Sequence, residues 1–373
     1  MKKIYLMITD AGGGHTSSAR ALQAAIEKQQ LPWKIYVVNF YQEIIGTDIE
    51  ENFYNNLILK QDWTRIYWPI IVPLFRLKIL LSRFTWLARL KNYWHENKPD
   101  LVISLMPFVN GYMCESLHSI WPNVPFITVV GDFVSNFPGY WFENDKQFII
   151  CHTEEAIQKS LKVGIRKERI FCTSGRIINP RFYESINCNR RVERQKLGLD
   201  PDLITGLVSF GSRGSMAIME IYKRLQQSSL DIQLIFICGK NEQLANSLRH
   251  SQSRLPKLVE TFTSEIPYYM YISDFFIGKP GLSTREAIHM KLPIITEHNS
   301  STMLQELDNV KWIEKNKLGI VVRSFQFIEQ AITELIEPKN LDYYRSNNTA
   351  MNNQSVFEVI DIVKTILSEN GNY

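Results

Sequence analysis

Cysteine is sparse in this chain and follows no pattern. Cys114, Cys151, Cys172, Cys188 and Cys238 stand far apart, with no C-x-x-C pair. That argues against a disulfide framework and a cysteine-built zinc site, and it fits reduced thiols in a cytoplasmic setting. Long apolar runs are also missing. None reaches the roughly 18 residues that a spanning helix needs. The run from Ile4 to Ile8, behind Lys2-Lys3, stops at Thr9-Asp10, which is too short for the core of a signal peptide. There is no internal repeat and no low-complexity tract. Net charge is small, at +4, and nothing matches a nucleic-acid module, so no nucleic-acid partner is expected. The dinucleotide fingerprint is absent as well. Gly12-Gly13-Gly14 is not G-x-G-x-x-G, and the second expected strand ends near Asn39 with no acid to take a ribose, which argues against NAD.

What is present describes a two-domain α/β protein. The 373 residues suffice for two domains of ordinary size, and 45% hydrophobic with 21% charged residues is a globular composition. Lys3 to Ile8 reads as a strand, Asp10 to Gly14 as a glycine turn, and Thr16 to Lys28 as a helix with Ala19, Leu22, Ala25 and Ile26 on one face. Ile35 to Phe40 completes a β-α-β opening, doubly wound in character. Further strands are expected at Asp100–Leu105 and Phe126–Val130, then at Gly206–Phe210, Ile232–Cys238, Val259–Phe262, Phe275–Ile277 and Pro293–Thr296. Loops after parallel strands line the cleft of such folds, which singles out Pro107 after one strand and Asp132 after the next. Asp132 reads either as a proton acceptor or as a helix cap. His15 follows the glycine turn, and a histidine near its usual pKa takes a proton from a hydroxyl. His152 beside Cys151 lacks the further ligands zinc requires and is read as structural.

Two stretches carry more chemistry. Phe275 to Ile288 reads as a strand, a Pro280-Gly281 turn and a helix start. Ser283 or Thr284 is the expected helix cap, with Glu286 in the first turn. Unsatisfied N–H groups at such a start bind an anion such as phosphate, and the Glu286 carboxylate can accept from two neighbouring hydroxyls, as on a ribose. The second stretch, 62–94, interleaves Trp63, Trp68, Trp86 and Trp94 with Arg and Lys, and repeats Leu77, Leu80, Leu81, Phe84 and Leu87 at helical spacing. Residues 60–98 hold eight basic side chains against Asp62 and Glu96, so the positive charge is local. This is the composition of a basic amphipathic segment at an anionic membrane surface, or of a core helix with a solvated basic face.

These motifs, taken in order, resemble glycosyltransferase family 28, above all its monogalactosyldiacylglycerol synthase and processive diacylglycerol glucosyltransferase members. The resemblance rests on Ile8 to His15, Cys151 to Glu155, Ser174 to Phe182, Ser209 to Gly214, Ile237 to Asn241 and the stretch from Phe275. It implies a GT-B-like α/β fold of two Rossmann-like domains facing across a cleft. Residues 1–182 would form an acceptor and membrane-contact domain, 183–205 a linker, 206–340 a nucleotide-sugar domain, and 341–373 a helix packing back on the first domain. It implies an inverting hexosyltransferase that moves galactose or glucose from a UDP-sugar to diacylglycerol, with the UDP-sugar as donor substrate and no further cofactor. His15 or Asp132 would be the base, with Gly13, Gly14 and Pro107 on the acceptor side. Gly211, Ser212, Arg213, Phe262, Gly281, Leu282, Ser283, Thr284, Glu286, Gln305 and Glu306 would hold the UDP-sugar. Trp68, Arg76, Lys78, Arg83, Trp86 and Arg89 would meet anionic lipid, making the protein cytoplasmic and peripheral on the membrane. Asp200-Pro201-Asp202 spells the D-x-D of metal-dependent sugar transferases of another fold, but beside Gly198 it reads as a turn, so no metal site is expected. The chain departs from the family at Pro280-Gly281-Leu282-Ser283, where glycines and a threonine are usual, and at Met303-Leu304-Gln305-Glu306, where Pro-Gly-Gln-Glu is usual. These changes keep three alternatives open: a transferase with another lipid-linked acceptor, a UDP-sugar epimerase, and a non-catalytic binder of UDP-sugar or lipid.

Overall fold

Short apolar runs, rich in isoleucine, valine and phenylalanine, form two parallel six-stranded sheets, each within its own unit. The computed structural model describes residues 1–11, 13–53, 55, 67–132, 141–143, 145–299 and 302–369, with the side chains of Tyr67, Trp68, Leu304 and Gln305 outside that description.

The first unit takes in Met1–Pro180. Its strands are β1 (Lys2–Ile8), β2 (Trp33–Asn39), β3 (Leu101–Ser104), β4 (Phe126–Val129), β5 (Phe148–Cys151) and β6 (Ile170–Cys172). They lie in the order β2-β1-β3-β4-β5-β6, all parallel. Ile4 sits between Ile35 and Leu101 in register. The strands at the centre are apolar on both faces because helices cover both, so Ile4, Leu6, Val102 and Ile127 are all fully buried. Helix α1 (Gly14–Lys28) buries Ala19, Leu22, Ala25 and Ile26, the face its spacing predicts. It is followed by α2 (Ile49–Phe53), α3 (Val72–Leu81), α4 (Arg83–Glu96), α5 (Asn110–Ile120) and α6 (Glu154–Lys162). The strand order reverses between β1 and β3, and the crevice beyond the carboxyl ends of those strands is where such sheets bind ligands.

The second unit takes in Arg181–Thr302 and Glu306–Asn352. Strands β7 (Ile204–Ser209), β8 (Ile232–Ile237), β9 (Lys257–Glu260), β10 (Phe275–Ile277), β11 (Ile294–Glu297) and β12 (Gly319–Val322) run parallel in the order β12-β11-β10-β7-β8-β9. Its reversal point lies between β7 and β10. The helices are α7 (Arg190–Lys196), α8 (Ala217–Leu225), α9 (Glu242–His250), α10 (Ile266–Tyr271), α11 (Leu282–His289), α12 (Leu304–Lys315), α13 (Ile328–Ile336) and α14 (Pro338–Ala350).

Residues 183–205, expected as a linker, fold with this unit. Arg194 of α7 is buried, donates from Nη2 to Asp274 at 2.6 Å and from Nε to the Ile272 carbonyl at 2.9 Å, and so ties the charged run to the sheet. Asp200 accepts the backbone N–H of Asp202 at 2.8 Å, the turn its neighbours predict. The expected boundary at 340 falls inside α14, and the chain leaves the second unit only at Asn353. The last helix, α15 (Ser355–Glu369), belongs to the first unit, burying Val356, Val359, Ile360, Val363 and Ile366 and joining Lys364 to Gln29 at 3.0 Å. Among the described residues no helix is long and apolar enough to cross a membrane.

Candidate functional site

In the first unit, β1 ends at Ile8 and the chain turns into α1 through Gly13, whose φ of 81° is left-handed and favours glycine. That turn sets Gly14 and His15 at the helix start, in the wall of a cavity shared with Gly131, His152, Arg176 and Val359. Burial pushes the His15 imidazole down to about 4, with Arg176 adding to the effect while a hydrogen bond to the Thr9 carbonyl and the Glu51 carboxylate oppose it. The expectation of a histidine near its usual pKa is therefore corrected: His15 is neutral at pH 7 because its ring has lost its water. Nδ1 is buried and has no hydrogen-bond partner. By elimination Nε2 is the donor to Thr9, and Nδ1 keeps its lone pair as a proton acceptor.

Asp132 follows β4 and is joined to His15 through one aromatic ring. Trp141 is fully buried, meets His15 edge-on with ring centres 6.5 Å apart, and donates from Nε1 to Asp132 Oδ2 at 3.3 Å. Pro107 is buried after β3. Its neighbour Phe108 holds φ of 76°, a strained value for a side chain of that size, and packs against Phe75 of α3 with ring centres 5.3 Å apart. Gly12 of the glycine turn lies outside the described residues. Sequence reasoning did not assign Trp141, Arg176 or Glu51 to this site, and it read His152 as structural although the ring lines the same cavity as His15. Arg176 and His152 do lie in the runs that carried the resemblance, which was the available signal.

In the second unit, β7 runs into Gly211 and Gly214, both with positive φ of 82° and 71°. A Cβ at Gly214 would stand 2.3 Å from the Cys238 carbonyl oxygen, so only glycine lets this turn close against the loop after β8. The Gly214 N–H bonds to Gly211 at 3.1 Å, while Ser212 and Arg213 project as exposed side chains. After β10 the chain reaches Gly281, the extended residue that precedes α11. A Cβ there would meet nothing closer than Lys279 at 3.8 Å, so the space before the helix start is open.

Two details of this loop differ from expectation. Neither Ser283 nor Thr284 caps the helix, because the backbone of Gly281 already supplies the extended cap and α11 begins at Leu282. Thr284 instead donates to the Lys279 carbonyl at 2.7 Å. Glu286 consequently sits in the second turn. It is partly buried as a residue, yet its carboxyl has lost its water, and burial alone pushes it up to about 7. The loop is braced from α12. Buried Asn309 donates to the Pro280 carbonyl at 2.7 Å and accepts from Arg285 at 3.1 Å, and the Arg285 guanidinium lies 3.8 Å from the centre of the Trp312 ring. Glu306 pairs with Lys279 at 3.8 Å, and the Gln305 side chain lies outside the description. Phe262 is 53% exposed after β9, with the Lys240 ammonium 5.8 Å from the centre of its ring. Thus loops after β7 and β10, the two strands at the reversal point, carry Gly211 to Arg213 and Gly281 to Glu286.

The basic aromatic segment divides differently from its sequence pattern. Residues 62–66 lie outside the description, as does the Trp68 side chain. Trp86, expected to meet lipid, is a core residue at 4% exposure, edge-on to Phe40 at 5.7 Å. The reason is a break at Ser82, which starts α4 on a new face, so the stripe of α3 is not continued. Leu74, Leu77, Leu81 and Phe84 are exposed at 59%, 51%, 75% and 84%. Arg76 is exposed on the same helix, Lys78 pairs with Glu50, Arg83 binds both oxygens of Glu115 at 2.9 Å, and Arg89 donates to the Ile45 carbonyl.

Comparison with known proteins agrees with this architecture. Residues 15–174 match the family model of monogalactosyldiacylglycerol synthase. A probable chloroplastic monogalactosyldiacylglycerol synthase of Glycine max is 26% identical over 365 residues, covering 94% of this chain and 68% of the relative. The chloroplastic monogalactosyldiacylglycerol synthase of Spinacia oleracea is 25% identical, covering 96% and 71%. The crystal structure of Acinetobacter baumannii MurG superposes with a TM-score of 0.60 at 14% identity over 97% of this chain and 99% of that one, a likeness of fold. By motif order, family-model match and GT-B fold, the chain is similar to the monogalactosyldiacylglycerol synthases of glycosyltransferase family 28.

Proposed function

We propose that this protein is an inverting hexosyltransferase that moves galactose or glucose from a UDP-sugar to the free hydroxyl of diacylglycerol at a membrane surface. The observation that carries this reading is His15: a neutral imidazole at a helix start, with a buried and unpartnered Nδ1 in a cavity wall. In the reaction the acceptor oxygen forms a bond to the anomeric carbon while the bond from that carbon to the diphosphate oxygen breaks. The acceptor proton passes to His15 Nδ1, and UDP leaves. A base held neutral by burial is ready at pH 7 and releases its proton readily afterwards. Asp132 orients the site through Trp141.

The donor would bind the second unit. The start of α11 and the turn at 211–213 offer N–H groups to the diphosphate, and the Glu286 carboxylate accepts from the ribose hydroxyls. The exposed apolar face of α3, with Phe84 beyond it and Arg76 beside it, supports peripheral attachment to anionic lipid. The test incubates purified protein and diacylglycerol vesicles with UDP-galactose and UDP-glucose separately, and looks for glycolipid by mass spectrometry. Product from one donor is expected and names the sugar. UDP binding without product from either donor would overturn the diacylglycerol reading.

A further inference from the structure

Glu51 has no role in the reaction as written, yet it is one of the most heavily bonded side chains in the first unit. It lies on α2, is 3% exposed, and has no cationic partner among the described residues. A carboxylate buried without a counter-charge survives only if several donors replace its water. Here four do. Oε1 accepts from Thr9 Oγ1 at 2.8 Å, from the Asp10 backbone N–H at 2.5 Å and from Asn39 Nδ2 at 2.8 Å. Oε2 accepts from Gln42 Nε2 at 2.7 Å. The donors come from the ends of β1 and β2, so one carboxylate ties together the two strands that flank the glycine turn.

One of these bonds bears directly on His15. The Asp10 N–H and the Thr9 carbonyl belong to the same planar peptide group. Its N–H points to Glu51, and its carbonyl receives the His15 ring. A carboxylate on the N–H draws the group into one orientation and increases the negative charge on its oxygen, since bonds in a chain polarise one another. Asn55 adds a further restraint from the other side, donating to the Asp10 carbonyl at 2.8 Å. The peptide therefore cannot rotate to offer His15 its N–H in place of its carbonyl without breaking the Glu51 bonds.

We propose that Glu51 is a positioning residue for His15, acting through the Thr9–Asp10 peptide to hold the imidazole in the Nε2–H tautomer with Nδ1 facing the cavity. This inference rests on the reading of His15 as the base, but it can be tested apart from it. The wild-type protein and the Glu51→Gln variant are labelled with 15N-histidine, and the His15 signals, identified by their loss in His15→Gln, are read by long-range 1H–15N correlation. A single Nε2–H tautomer is expected in the wild type, and a mixture of tautomers in Glu51→Gln. In turnover, Glu51→Gln should lower kcat roughly tenfold with the KM for donor nearly unchanged, and it should add little to the loss caused by His15→Gln. Glu51→Asp, which keeps the charge, should recover part of the loss. Should Glu51→Gln fail to fold, Thr9→Val removes one donor without a change of shape and should shift the tautomers in the same direction. The same tautomer in both proteins, or full additivity with His15→Gln, would overturn the proposal. Tautomer mixing in a protein whose wild type makes no glycolipid would uphold the positioning role and refute the lipid reaction instead.

Discussion

Burial of His15 makes the first unit sensitive to acid in a way that one substitution removes. In the folded chain the imidazole is pushed down from 6.5 to about 4. As pH falls through 6.5 the unfolded chain takes up a proton that the folded chain refuses, so stability is lost between 6.5 and about 4, and this group removes no more below that. The gap caps the effect near 3 kcal/mol, and between pH 7.5 and 5.0 it amounts to about 2 kcal/mol. That figure is a ceiling, because the residue keeps some contact with solvent. The assay is urea unfolding at both pH values, followed by tryptophan fluorescence, for wild type and His15→Gln. Of the eight tryptophans only Trp312 lies in the second unit, so the signal reports mainly the first. Half-buried His118 is also pushed down, but it is common to both proteins and drops out of the difference. Wild type should lose about 2 kcal/mol more than the variant on going to pH 5.0. Equal losses would show that His15 is protonated normally in the folded state, and the argument for a neutral base at Nδ1 would fail with it.

Further expectations concern the donor loop and the surface. If ribose hydroxyls donate to Glu286, only its ionised form binds fully; with the carboxyl near 7, UDP affinity should fall about tenfold from pH 8 to pH 6. Calorimetry should find that dependence flattened in Glu286→Gln, and a pH-independent wild type would remove Glu286 from the site. Asn309→Ala should cost about 1–3 kcal/mol, because it leaves the Pro280 carbonyl and Arg285 without their shared partner, and should weaken UDP binding; unchanged thermal unfolding and affinity would contradict the bracing role. Leu77→Gln, Leu81→Gln and Phe84→Gln together should leave stability within about 0.5 kcal/mol each, since these side chains are exposed, while reducing sedimentation with anionic vesicles. Trp86→Ala should do the reverse, destabilising by about 3–5 kcal/mol without a specific effect on lipid. Equal vesicle binding by the triple variant and wild type would refute the lipid face.

The strands were legible because a parallel strand covered on both faces must be a short, mostly apolar run, and Ile4 to Ile8, Leu234 to Ile237 and Phe275 to Ile277 are such runs. The helical stripe at Leu77, Leu80, Leu81 and Phe84 was legible as a stripe, but its partner was not. Periodicity states that residues share a face and says nothing of what covers it. Ser82 then broke the helix and turned Trp86 and Trp94 into the core while the stripe stayed outside. The charged run from Arg190 to Lys196 reads as a linker in the sequence for a related reason. Local charge is the usual mark of a solvated segment, and the carboxylate that buries Arg194 is Asp274, 80 residues along the chain.

The candidate site separates into the same two kinds of information. Its location follows from topology: once the strands alternate with helices, the loops after β1, β3, β7 and β10 flank the reversal points, and His15, Pro107, Gly211 and Glu286 stand on or just beyond them. Its chemistry does not follow. A histidine and a glutamate have one ordinary pKa each in any sequence, and what moves His15 to about 4 and Glu286 to about 7 is the water each has lost. The same holds for Glu51, whose four donors come from residues 9, 10, 39 and 42. No spacing rule links those positions, because the contacts arise only when β1 and β2 pair. The sequence therefore names the side chains that a base and a donor site require, while the fold decides which of them is neutral, which is charged, and which way each one points.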